Sequence, residues 1–181
     1  MTIMDETLSE SSSEDAESRA SETITVRAER GNADAQFNLA LKFAGAGTEE
    51  NFAQAANWYL KAAAQNHALA QYNLGVMYSH AQGMPRDELQ SAKWMCKAAH
   101  LGDAGAQYAV GMSRQRLSLE QEPETACESR IEAYKWLHLA ARQGYMNSEA
   151  GCNSVAMGMT REGVTEGNCR AAAFVPGAGK D

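Results

Sequence analysis

The sequence predicts an all-α protein, a right-handed α-solenoid of antiparallel helix pairs. A first segment returns at intervals of 35 and 36 residues: Ala35–Leu39, Ala70–Leu74 and Ala106–Val110. A second segment, in which a tryptophan precedes a small-residue run, returns at intervals of 36 and 42 residues: Trp58, Trp94 and Trp136. A period near 35 with two helix-like halves per unit is typical of an α-solenoid, whose units bury apolar surface by stacking on their neighbours.

The clearest unit is residues 68–102, ALAQYNLGVMYSHAQGMPRDELQSAKWMCKAAHLG. Its motifs, AQYNLG in the first half and W-x-x-K-A-A in the second, resemble the Sel-one-like repeat, a relative of the tetratricopeptide repeat. The resemblance covers about 33–174. It implies helical repeats at about 33–66, 68–102 and 104–144, with capping segments at 18–30 and 145–174. Because such repeats carry many roles, the resemblance implies a scaffold rather than a particular activity.

Charge is unevenly distributed along the 181 residues, whose formal net charge is −7. Residues 1–24 contain seven acids and one base, so the remainder is close to neutral. The Ser- and Glu-rich stretch 1–17 lacks aromatic residues and is expected to be a disordered acidic tail. A disordered tail is also expected at 175–181. The absence of a basic patch argues against a nucleic-acid partner.

The lengths of the apolar runs and the spacing of the cysteines indicate where in the cell the protein resides. No apolar run approaches the roughly 18 residues that a membrane-spanning helix requires, and the N-terminus lacks the pattern of a secretory signal. The four cysteines form no C-x-x-C pair: Cys96, Cys127, Cys152 and Cys169. We therefore expect free thiols in a cytoplasmic protein without membrane contact, with one or two long-range disulfides as the alternative.

The N-terminal capping segment, 18–30, is expected to be a short helix in which Ala28 takes the place of Ala99. A β-branched run within it, 23–26, weakens that helix prediction. In the first repeat, helices are expected from 33 to 44 and from 51 to 65, with Gly45 and Gly47 between them.

In the second repeat, helices are expected over 70–80 and 87–100, with Asp87 as an N-cap. Ala92, Trp94 and Ala98 match the packing positions of the resembled family.

The third repeat contains six more residues between its two motifs than the second. The addition includes residues 114–124, and it predicts either an extended loop or two longer helices. Pro123 favours a helix start. Insertions in repeat arrays often lie on a binding face, although a neutral length variant is the alternative.

A decayed fourth unit begins near Ser148. The stretch from Met159 resembles the closing segment of many bacterial family members, which implies a helix over 161–174 with Thr160 as its N-cap. Gly163 and Gly167 weaken that helix.

The sequence contains few catalytic signals. It has no nucleophile elbow, no P-loop and no dinucleotide fingerprint. Of the four histidines, His67, His80, His100 and His138, only His100 has a cysteine at helical spacing, Cys96. A Cys96–His100 or His80–Asp87 pair would supply only two metal ligands. We therefore predict no enzymatic activity, no cofactor and no metal.

The resemblance implies that first helices line a concave groove. Asn38 and Asn73 occupy equivalent positions, as do Lys42 and Met77, and an asparagine amide can both donate to and accept from a peptide backbone. These four residues are the predicted partner-binding positions. Alternatively, the asparagines are surface residues kept by repeat duplication, and Ala109 interrupts their series.

The predicted function is a non-catalytic adaptor that presents a groove to an unidentified protein or peptide partner. Two alternatives remain open. One is a hydrolase or metal-dependent enzyme centred on Cys96, His100 and His138. The other is a self-assembling structural module, because end-to-end stacking would cover the open ends of a short array.

Overall fold

The computed structural model describes residues 23–178, and every regular element in that range is a helix. The helices are α1 (23–29), α2 (Ala33–Gly45), α3 (Glu49–Ala63), α4 (Ala68–His80), α5 (Glu88–His100), α6 (Ala104–Glu120), α7 (Pro123–Arg142), α8 (Ser148–Ala156) and α9 (Arg161–Ala172). From α2 to α8 each helix packs on the next, and α9 packs on α7. The predicted all-α solenoid is confirmed. The predicted acidic tail, 1–17, lies outside the described residues.

Polar side chains determine where the helices begin. The Asn32 side chain accepts a hydrogen bond from the Ala35 N–H at 2.8 Å, and the Asp103 side chain accepts one from Ala106 at 2.7 Å. The predicted caps are confirmed: Asp87 accepts from Leu89 at 2.9 Å, and Thr160 accepts from Gly163 at 3.1 Å. Each cap satisfies a backbone donor that has no partner inside its helix.

Small residues form the helix contacts. Ala40, Ala62, Ala98 and Ala140 are fully buried. At Gly111, the counterpart of Ala40, an added Cβ would lie 2.7 Å from Leu137 Cγ. Because interaxial distance depends on the side chains at the contact, these residues allow neighbouring helices to approach closely.

A buried glutamine in each repeat joins that repeat to the preceding helix. The amides of Gln36, Gln71 and Gln107 donate to the carbonyls of Ala28, Ala63 and Ala99 at 3.0, 3.0 and 3.3 Å respectively. Helix α1 therefore contacts the first helix of the first repeat in the same way as α3 contacts the first helix of the second repeat. The β-branched residues 23–26 are helical, because Ala28 at 1% exposure is anchored by this contact.

One predicted packing position was wrong. Ala92 is exposed, and the preceding residue, Ser91, is buried in its place. Ser91 stands where the other repeats carry Ala55 and Ala133. Its hydroxyl donates to the Gly75 carbonyl at 2.8 Å, which removes the cost of burying it.

Both helices of the third repeat are longer than those of the second, because the six additional residues are helical and the connection between the helices is shorter, 121–122 against 81–87. Helix α6 has 17 residues and α7 has 20, whereas α4 and α5 have 13 each. Pro123 is the first residue of α7, as predicted, where its missing N–H leaves no helical bond unmade. The α6–α7 pair therefore extends beyond the α4–α5 pair, and no long loop separates its helices.

Ion pairs of Arg170 hold α9 against α7. Arg170 of α9 donates to Glu132 at 2.9 Å and to Glu166 at 2.7 Å, and it also binds Glu128. Helix α9 ends at Ala172, two residues earlier than predicted.

The prediction of disorder from residue 175 was wrong for 175–178. The Gly177 N–H donates to the His100 carbonyl at 2.9 Å, and Pro176 packs against Gly102. Residues 179–181 lie outside the described part.

Candidate functional site

The predicted groove residues occupy different environments. Asn38 and Lys42 are exposed one turn apart on α2. Asn73 on α4 is half-buried, and its side chain lies beside the phenol of Tyr59 on α3, where it partly opposes the burial that raises the pKa of that phenol. Asn38 and Asn73 are therefore equivalent in sequence but differ in exposure.

Met77 is only 4% exposed, so the structure corrects its prediction as a groove residue. It packs in a core cluster with Ala56 and Leu74, partly covered by Phe43 and Phe52. An unbranched thioether fills an irregular interior gap well, which explains why this position is buried. Its side chain presents almost no surface to a partner.

The histidines and cysteines are dispersed. His100 Nδ1 lies 2.8 Å from the Cys96 carbonyl, and the His100 ring meets the edge of Trp136 at 5.0 Å. His138 stacks on Tyr134 at 5.9 Å. Among residues 23–178, no three histidine, cysteine or carboxylate side chains are grouped to hold a metal ion.

Burial raises the pKa of the Cys96 thiol, and the nearby Arg114 charge only partly opposes that effect. A thiol with a raised pKa remains protonated near neutrality and is a poor nucleophile. The pKa of Cys152 is raised to about 11, mainly by burial. The arrangement at Cys96, His100 and His138 therefore gives no support to the enzymatic alternative.

The structure does form a cleft where the lengthened α6 passes α5. Its volume is about 490 Å³. The lining residues come from the end of α4, one face of α5 and one face of α6: Ser79, Glu88, Ser91, Ala92, Met95, Cys96, Ala109, Val110, Ser113, Arg114, Arg116 and Leu117. The volume lies within the roughly 300–1,000 Å³ that is usual for ligand pockets.

The cleft has an apolar part and a positively charged part. Met95 and Val110 belong to or pack against a core cluster, so they form an apolar floor. Arg114 and Arg116 are exposed and supply positive charge from α6. Such a surface can bury an apolar side chain and pair with an anionic group, which are properties of a binding site.

The comparisons with known proteins agree with this architecture. The sequence model of the Sel1 repeat matches residues 33–67, 68–103 and 104–145. The chain belongs to the Sel1 repeat family. The predicted Sel-one-like resemblance is therefore confirmed.

Two solved structures share the fold. A protective antigen of uropathogenic Escherichia coli that displays an SLR fold superposes with a TM-score of 0.70 at 28% identity, over 87% of this chain and 32% of that chain. A Sel1 repeat protein from Oxalobacter formigenes gives a TM-score of 0.60 at 28% identity, over 79% of this chain and 59% of that chain. The match to the antigen spans about a third of its length.

Curated relatives match a shorter stretch. The ERAD-associated E3 ubiquitin-protein ligase components HRD3A and HRD3B of Arabidopsis thaliana are 49% and 46% identical over 43 residues. That stretch is 24% of this chain and 6% or 7% of those proteins. Within residues 23–178, no helix is both long and apolar enough to cross a membrane.

Sequence reasoning did not identify the cleft. The six-residue addition was the available signal, because it marked a position where this repeat departs from its neighbours. The arginines within it, Arg114 and Arg116, were assigned to no role. Their significance depends on α5, which lies beside them only in the folded chain.

Proposed function

We propose that this protein is a non-catalytic scaffold that binds a protein or peptide partner through the face containing α2, α4 and α6. The cleft between α5 and α6 carries this proposal, since it combines an apolar floor with exposed cationic side chains. Sel1 repeats are typically protein-interaction scaffolds. Asn38 and Lys42 extend the candidate surface along α2, and Asn73 lies at its half-buried part.

The plant relatives support the same class of function. Both are named as components of an E3 ubiquitin-protein ligase. A component of a ligase makes contacts with other proteins, and we extend only this scaffold role to the present chain.

A random peptide library displayed on phage tests the proposal with the full chain immobilised in its folded form. We expect enrichment of peptides that also bind the folded chain in solution. Heat-denatured protein is the control and should not compete. If no enriched peptide binds the folded chain in solution, the proposed function is wrong.

A double variant, Asn38→Ala with Asn73→Ala, tests how far the binding face extends along α2 and α4. Loss of binding with unchanged helicity would include the asparagines in the site. Because Asn73 contacts Tyr59, thermal melting must accompany the measurement. Unchanged binding would confine the site to other residues of the proposed face.

A further inference from the structure

The cleft between α5 and α6 has unbalanced positive charge. Glu88, a carboxylate in its lining, receives a hydrogen bond from Arg86 Nε at 2.8 Å. In the described part of the chain, Arg114 and Arg116 form no ion pair within 4.0 Å. The carboxylate that could have neutralised them is therefore already engaged, while two guanidinium groups remain available to an anion.

Apolar surface continues from the floor of the cleft to its margin. Met95 and Val110 form the floor, and Leu117 lines the cleft at 38% exposure. Contact with an aliphatic side chain would remove this surface from water, which is favourable in proportion to the apolar area buried.

The surrounding charge limits the class of partner. Two carboxylates follow the cleft residues in the chain: Glu120 ends α6, and Glu122 comes two residues later. These carboxylates would repel a polymer with continuous negative charge wherever it extends beyond Arg114 and Arg116. Discrete carboxylates beside an apolar side chain fit the cleft better, because only those carboxylates need to reach the guanidinium groups.

We propose that this cleft docks an acidic linear segment of a partner protein. An aliphatic side chain of that segment enters between Met95 and Val110, and neighbouring aspartate or glutamate residues pair with Arg114 and Arg116. This assignment rests on the proposed scaffold function and names the chemistry of its partner. The lengthened α6 contributes to this cleft, because its added turn begins at Leu117, directly after Arg116, and both residues line the cleft together with Glu88 at the start of α5.

The test uses the peptides selected on the full chain. We expect them to be enriched in aspartate and glutamate beside leucine, isoleucine or methionine, and their affinity to fall as salt rises. The charge-reversal variant Arg114→Glu with Arg116→Glu should weaken the binding of these peptides at least about tenfold. A control with the same change in net charge, Arg27→Glu with Arg161→Glu, reverses exposed arginines outside the cleft and should leave affinity within about twofold.

A second variant separates filling of the cleft from its charge. Ser113 lines the cleft and is exposed, so Ser113→Trp should occupy the space with little disturbance of the core. We expect at least about a tenfold loss of affinity with both arginines intact. Circular dichroism and thermal melting check that each variant folds.

The outcomes distinguish the two proposals. If no peptide binds the folded chain, the scaffold function itself fails. If peptides bind but are basic or lack acidic and aliphatic residues, the acidic-segment assignment is overturned while the scaffold function stands. The same conclusion follows if Arg114→Glu with Arg116→Glu weakens binding no more than its control, or if Ser113→Trp leaves affinity unchanged.

Discussion

Gln71 differs from its two counterparts by one hydrogen bond. The Gln65 amide donates to Gln36 Oε1 at 2.8 Å, and the Gln143 amide donates to Gln107 Oε1 at 2.9 Å. The equivalent donor position in the second repeat is Leu101, and Gln71 Oε1 is buried without a partner. An unsatisfied buried acceptor retains its desolvation cost. The leucine at position 101 therefore explains why Gln71 Oε1 accepts no hydrogen bond.

Leu101→Gln is predicted to stabilise the protein. Its amide should donate to Gln71 Oε1 as Gln65 does to Gln36, which increases the free energy of unfolding by about 0.5–1.5 kcal/mol. Urea denaturation at neutral pH measures the change. The converse substitution at the equivalent position of the first repeat, Gln65→Leu, should lower the free energy of unfolding by about 1 kcal/mol. Destabilisation by Leu101→Gln would show that its lost apolar contact outweighs the new bond.

Gly83 controls the turn between α4 and α5. It has φ +65°, and a Cβ there would lie 2.3 Å from the Phe52 carbonyl carbon on α3. Because this neighbour is backbone, α3 and the turn would have to separate. Gly47 has a similar φ of +72° but nothing within 4 Å of the added carbon. The two glycines therefore separate backbone strain from a steric clash.

Gly83→Ala is predicted to cost about 3 kcal/mol or more of unfolding free energy, since overpacking adds to the strain of positive φ. Gly47→Ala should cost only about 1 kcal/mol, the left-handed penalty alone. Chemical denaturation of the two variants in parallel gives the comparison. Equal losses of unfolding free energy in the two variants would mean that α3 and the turn move apart at no cost in stability.

At the scale of elements, Arg170 connects α9 to α7. Hydrogen bonding to Arg170 holds the pKa of Glu128 below its usual value of 4.5. A depressed carboxyl pKa contributes stability above pH 4.5, and that contribution is lost as the pH falls through the lower folded value. Glu128 is 61% exposed, so solvent screening limits the contribution to about 0.5–1 kcal/mol.

Arg170→Gln is predicted to reduce the acid sensitivity of folding. Between about pH 6 and about pH 3, the unaltered chain should lose about 0.5–1 kcal/mol more stability than the variant. Urea titrations at several pH values measure the two slopes. Arg161→Gln, on the same helix but in none of the described ion pairs, should retain the original slope. Parallel slopes for Arg170→Gln and the unaltered chain would contradict the assignment.

At the scale of the whole molecule, α8 and α9 cover the last repeat. Trp136 is 3% exposed and packs on Phe174 at 5.5 Å, while Leu137 is fully buried beside Gly151. These contacts bury side chains that the third repeat alone would leave in water. A terminal unit of an array has this role because each repeat needs a neighbour.

Removal of residues 146–181 is predicted to expose Trp136 and Leu137. At about 1.5–3 kcal/mol for each buried side chain, the loss is about 3–6 kcal/mol, a large part of typical domain stability. We expect a lower melting temperature and increased binding of a hydrophobic dye. Phe174→Ala should show a smaller shift in the same direction. An unchanged melting temperature would mean that the three repeats are stable without this cover.

The site was less accessible to sequence reasoning than the fold. Asn38 and Asn73 share a motif position, yet only Asn73 has the Tyr59 phenol beside it. Met77 and Lys42 also share a position, but packing buries one and exposes the other. A motif records which positions correspond, whereas exposure depends on the side chains that neighbouring helices bring to each position.

The sequence by itself determined the helix pairs, the repeat family and the polar caps, because these depend on spacing and on local hydrogen bonds. Residues three or four apart share a helix face, and a cap such as Asp87 reaches only its own first turn. Tertiary structure alone decided that the added residues lengthen α6 and α7, that Ser91 rather than Ala92 is buried, and that the cleft opens beside Arg114. These outcomes depend on contacts between separate helices, which are set when the units stack.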